Sequence, residues 1–191
     1  MNTEMKILSA LVAGGAAAAA VGLVRSGYER RHFVVEETSI YSEKLRNPRT
    51  LVFLTDLHDK EFGEANSQLL GSIRTIRPDL ILIGGDIMVA KPGKASLEVT
   101  RRFLDGLCQV QTQTTGENSG KPFRISHGNG NHEQRLRREY KTYGAMYREF
   151  RRLLKHRNIS YLPDRYVTLS QEIRIIGRQL DSGCSLAFVP A

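Results

Sequence analysis

Leu80-Ile81-Leu82-Ile83-Gly84-Gly85-Asp86 is the most informative stretch of the chain. Consecutive apolar residues with no polar position between them read as a short strand buried on both faces, because a strand with one wet face alternates. The two glycines end the run, let the backbone come close to a ligand and free the Asp86 carboxylate. The same pattern recurs on either side. Leu51-Val52-Phe53-Leu54 stops at Thr55-Asp56-Leu57-His58, and Phe123 to Ser126 enters His127-Gly128-Asn129-Gly130-Asn131-His132.

Helical spacing fills the intervals. Leu69, Leu70, Ile73 and Ile76 mark a helix over 65–76, with Pro78 beyond its end. Val99, Phe103, Leu104 and Leu107 mark a second over 97–110, followed by a polar loop over 112–121. One long basic helix is expected over 134–157, a hairpin over 166–169 and 173–176, and one strand at His32 to Val35. Alternating strands and helices imply an α/β architecture with a layered sheet, in which ligands gather at the carboxyl ends of the strands. All three polar clusters fall there.

The chain has 191 residues, enough for one domain with a buried core. Hydrophobic residues make up 40% and charged residues 25%, a folded rather than a disordered balance. A net charge of +8 favours phosphate-bearing partners, whether lipid, nucleic acid or metabolite. Cys108 and Cys184 stand far apart in no paired motif, which excludes a disulfide framework and a Cys-based zinc site and is compatible with a reducing compartment.

From Ile7 to Val24 the sequence carries no charge. That length approaches the roughly 20 residues of a membrane-spanning helix, although Ala and Gly dominate it. A cleaved signal peptide competes with an uncleaved anchor. Arg25, Arg30 and Arg31 follow the run while Lys6 alone precedes it, so the charge rule places the downstream side in the cytoplasm and favours an anchor at the cell membrane. The domain reading is therefore a hydrophobic anchor with its basic flank over 1–31, a domain over 32–177 and an atypical tail over 178–191.

The strand-end residues form a chemically coherent set. Asp56 and His58 lie two residues apart at one terminus, Asp86 follows its glycines, and Asn131-His132-Glu133 follows a glycine-rich turn. Taken singly, Asp56 or Asp86 reads as a helix cap or turn residue, His58 as a surface or core histidine, and Gly130-Asn131-His132 as an ordinary turn. Taken together, carboxylate, imidazole and amide oxygen suit divalent Mn, Fe, Zn or Mg. Two such ions about 3.5–4 Å apart need a bridging carboxylate, for which Asp86 is the candidate.

Asp56-x-His58, Gly85-Asp86 and Gly130-Asn131-His132-Glu133 resemble the motifs of the calcineurin-like metallophosphoesterase superfamily. The phrasing TDLHD, GGD and GNGNHE is similar to its membrane-associated bacterial branch, which includes lipid-precursor pyrophosphatases, and the resemblance covers about residues 33–177. It implies the N-terminal half of an α-β-β-α sandwich and hydrolysis of a phosphate ester or pyrophosphate by a metal-activated water. It also implies two divalent metal ions. Asp56 and His58 would bind the first, Asp86 would bridge both and Asn131 would bind the second. His132 would act beside the phosphate, and Glu133 would orient His132 or its loop.

The superfamily also supplies downstream histidines, whereas no histidine follows His156 here. Residues 178–191 lack the expected strand and turn signals, so a truncated product with a foreign tail, catalytically inactive, is the alternative expectation. Nine Lys or Arg residues between Arg135 and Arg157 form either a solvated face or a contact for an anionic leaflet, which points to a lipid-like phosphate substrate. A nucleic-acid binder would rest on charge alone, with no binding motif, and is not expected.

Overall fold

The computed structural model describes residues 3–29, 31–117, 122–168, 173–180 and 183–190, with side chains described for 14–28, 31–113, 122–168 and 173–178. The chain divides into two compact units, Met1–Thr38 and Ser39–Ala191.

The first unit is built on α1 (Thr3–Glu29), whose alanine-rich middle has the strongest helix propensity available. Past its end, His32 Nδ1 bonds the Tyr28 carbonyl at 2.8 Å while the two rings stack, which satisfies a helix-terminal acceptor. Among the described residues no helix is long and apolar enough to cross a membrane. The side chains of 7–13, which begin the apolar run, lie outside the described residues. The strand expected at His32 to Val35 is irregular backbone instead, with no strand paired to it among the described residues.

The second unit is mixed α/β. Its elements are β1 (Leu51–Leu54), α2 (Ser67–Ile76), β2 (Leu80–Ile83), α3 (Glu98–Glu117), β3 (Arg124–His127), α4 (Asn131–Arg138), α5 (Tyr140–His156), β4 (Ser160–Tyr161), β5 (Arg165–Thr168), β6 (Ile173–Leu180) and β7 (Gly183–Pro190). Strands β1 to β4 form a parallel sheet in chain order, with Leu51 opposite Leu80 and Leu80 opposite Arg124. Strand β2 is buried at every position, as its unbroken apolar run predicts, whereas β1, with a like run but last in the strand order, leaves Leu51 and Phe53 exposed. Its Leu80 and Leu82 pack with Leu162, Ile173 and Ile175, so one face of the parallel sheet meets the antiparallel sheet β5-β6-β7. Asp79 fixes where the sheet starts: its carboxylate accepts the Thr50 N–H at 2.8 Å and pairs with Arg49.

Three further expectations are corrected, and one strand is added. Helix α3 continues to Glu117 through most of the stretch read as a loop, since a packed, nucleated helix propagates through polar residues, and Gln111 anchors it to the Phe123 carbonyl. The long basic helix is two helices. Glu139, at φ −96 and ψ 51, separates α4 from α5 while its N–H still bonds the Arg135 carbonyl. The short strand β4 follows α5 and extends the parallel sheet beside β3. The tail contributes β7, which pairs antiparallel with β6 from Ile173–Pro190 to Leu180–Gly183, because a neighbouring strand stabilises extended backbone that local sequence does not. The expected hairpin forms as β5 and β6, although Leu169 lies outside the described residues.

Candidate metal centre

The parallel register brings the strand ends together. Leu54 lies opposite Ile83, so the loops leaving β1 and β2 run side by side. They continue to bond: Asp56 N–H to the Gly85 carbonyl at 3.1 Å, His58 N–H to Asp86 at 2.9 Å and Asp59 N–H to Ile87 at 3.0 Å. Ligand atoms of Asp56, His58 and Asp86 all lie within 4.8 Å of one another. Asp56 and His58 are exposed and Asp86 is buried, which leaves one side of the cluster open to solvent. Thr55 Oγ1 donates to Asp56 Oδ2 at 2.8 Å, and Asp56 Oδ1 stands 3.4 Å from His58 Nε2.

The backbone is held in an unusual form here. Asp56, His58, Asp59 and Asp86 have φ of 56°, 48°, 58° and 53°. The left-handed region costs a non-glycine residue roughly 1–2 kcal/mol, least for Asp, Asn and His. Strain of this kind clusters at ligand and active sites.

The third cluster joins through the start of α4. Asp86 Oδ1 accepts the His132 N–H at 2.7 Å and so caps the helix from another segment. Glu133 reciprocates, accepting the Asp86 N–H at 2.8 Å and the Ile87 N–H at 3.3 Å. Asp59 Oδ2 takes the Val89 N–H at 2.8 Å, and His132 Nδ1 takes that of Ala90 at 2.9 Å. Side chains of Glu133, Asp59 and His132 thus satisfy the amides of residues 86, 87, 89 and 90. Accepting at Nδ1 leaves the proton of neutral His132 on Nε2. Its ring meets that of His58 edge-on, 5.1 Å between centroids. Asn131 opens α4 and is exposed, one residue before the His132 amide that Asp86 caps.

Two glycines make this contact possible. A Cβ on Gly85 would lie 2.2 Å from the Gly130 nitrogen, and one on Gly130 would lie 2.5 Å from the Asp86 carboxyl. Gly85 also has φ +123, closed to L side chains. Gly85→Ala is therefore expected to destabilise by on the order of 3 kcal/mol, lowering Tm by about 6–12 °C. An unchanged thermal midpoint would contradict the close packing of the two loops.

Burial sets the electrostatics. Burial raises the Glu133 pKa to about 7, with Asp86 adding to it and the bound amides opposing. Burial also lowers the His132 pKa, helped by His58 and Arg135 and opposed by Asp86. Asp59 is raised, chiefly by burial, and its Oδ1 is buried with no hydrogen-bond partner among the described residues. Behind them His127, fully buried, is held down to about 4; its Nδ1 bonds the Gly128 carbonyl and its Nε2 stands 4.0 Å from Glu133.

The unfolded chain accepts a proton on His127 near the ordinary value of 6.5, whereas the folded chain resists it to about 4. Stability from this difference is complete above the upper value and is lost as pH falls toward the lower one. In urea melts, the stability of wild type relative to His127→Phe is expected to fall by up to about 1.4 kcal/mol per pH unit across that window. A difference flat with pH would contradict a neutral buried ring.

Sequence reasoning gave Asp59 no role, although it follows His58 directly. It satisfies the Val89 amide 30 residues away, one of four loop amides that it, Glu133 and His132 share, and no local pattern encodes that. No known protein family matches the chain, and no curated protein matches it.

Proposed function

We propose that the protein is a metal-dependent phosphoester hydrolase of the calcineurin-like metallophosphoesterase type, with the stacked sheets as the middle layers of an α-β-β-α sandwich. The convergence of Asp56, His58 and Asp86 ligand atoms within 4.8 Å at adjoining strand ends carries this reading. The donor set fits a divalent cation: two carboxylates and one imidazole, on a backbone already held in place. Asp56, His58 and Asp86 would hold one ion, and Asp86 with Asn131 would reach a second. A divalent ion bound there supplies positive charge and Lewis acidity to a phosphoryl group. Asp86 ties the ligand cluster to α4, and Glu133 holds the loop that carries it. His132, fixed through Nδ1, presents its Nε2 proton to a phosphoryl or leaving-group oxygen.

Manganese-dependent hydrolysis of a chromogenic phosphodiester by the full chain, lost in Asp56→Ala, is the expected result. No turnover with any divalent ion would overturn the assignment. A catalytically silent form of the same site is the second reading. One observation favours it: among the described residues only one group of three His, Cys, Asp or Glu ligands comes together, short of two complete shells.

A further inference from the structure

Helix α5 divides its residues sharply. Tyr143, Phe150, Leu153 and Leu154 are buried, while Lys141, Arg148, Arg152 and Lys155 are exposed. The exposed cations follow one another at intervals of seven, four and three residues. At 3.6 residues per turn these offsets place all of them within about 60° of arc, in a straight row about 21 Å long.

The structure separates these cations from basic residues already engaged. Arg157 pairs with Asp105, and Arg135 with Glu139. The one acidic residue of α5, Glu149, is taken by Arg101. Lys141, Arg152 and Lys155 have no ion pair among the described residues. Arg148 keeps its charge, bonding the Tyr140 hydroxyl at 2.7 Å and lying over that half-exposed ring.

We propose that this row is a docking face for an anionic lipid bilayer, with Lys141, Arg148, Arg152 and Lys155 as its contacts. Like charges lined up without acidic relief repel one another, and an anionic surface removes that cost. A flat leaflet meets a straight row at every position at once, whereas duplex phosphates curve away from it. Tyr140 stands at the beginning of the row, an amphipathic ring of the kind that sits at headgroup level.

Co-sedimentation of the full chain with phosphatidylcholine vesicles, with and without phosphatidylglycerol, tests this. Any contribution of the uncharged run 7–24 is common to both vesicle types, so the ratio of the two partition constants isolates the charge effect. Wild type should prefer anionic vesicles, the preference weakening with salt. Each cation near the surface is worth about five-fold, so replacing all four by Gln should reduce the ratio by on the order of several hundred-fold. A control with Arg74, Lys91, Lys94 and Arg124, all exposed, changed to Gln should keep most of it. Circular dichroism melts would establish that both variants fold. The proposal is overturned if the row variant keeps its preference, or if the control loses as much. It is equally overturned if wild type ignores anionic vesicles but shifts duplex DNA in a manner that depends on the row.

Discussion

Asp86→Asn is expected to weaken divalent-metal binding by more than about 100-fold, beyond what losing a supporting partner of a ligand causes. Manganese-dependent hydrolysis should fall with it by at least about a thousand-fold, or roughly 4 kcal/mol of transition-state stabilisation. The fold should survive. Asn keeps an oxygen where Asp86 Oδ1 accepts the His132 N–H, and loses only the charge complementing the α4 terminus, worth about 0.3–1 kcal/mol. Asp86→Ala should lose the cap as well, a further cost of about 0.5–2 kcal/mol. Calorimetric manganese titration alongside thermal melts of both variants separates the two roles. If Asn and Ala bind metal as wild type does, Asp86 is a helix cap and nothing more.

His132→Asn should behave in the opposite way. The Asn oxygen can take the place of Nδ1 as acceptor for the Ala90 N–H, so the loop stays in position while the Nε2 proton is gone. Metal affinity should stay within about ten-fold, since the ring is not among the proposed ligands, and kcat should fall about 10²–10⁴-fold. His132→Ala should additionally lose about 1–3 kcal/mol of stability, because a buried N–H is left without a partner. Equal kcat in His132→Asn and wild type, measured under saturating manganese, would remove His132 from the chemistry.

Much of this centre was legible because it depends on short-range grammar. The unbroken apolar run Leu80–Ile83 is covered on both faces while the like run Leu51–Leu54 is half covered, and in both the polar residue just past the run emerges at the sheet's end. Parallel pairing then brings Asp56 and Asp86 together, since Leu54 and Ile83 lie opposite each other. What sequence did not reveal depends on partners remote in the chain. Glu133 satisfies amides 46 and 47 residues away, and Asp59 one 30 residues away, neither marked by any local pattern. The interruption at Glu139 carries no Gly or Pro, the residues that ordinarily announce a break. Strand β7 owes its form to the long strand β6 beside it.

The central claim is that Asp56, His58 and Asp86 share a divalent cation. Anomalous diffraction at the manganese edge, from crystals of the full chain grown with Mn²⁺, tests it most directly. The expected map has a peak about 2 Å from an oxygen of each carboxylate and a nitrogen of His58. A map without a peak among these side chains, or with manganese bound only elsewhere, would contradict it.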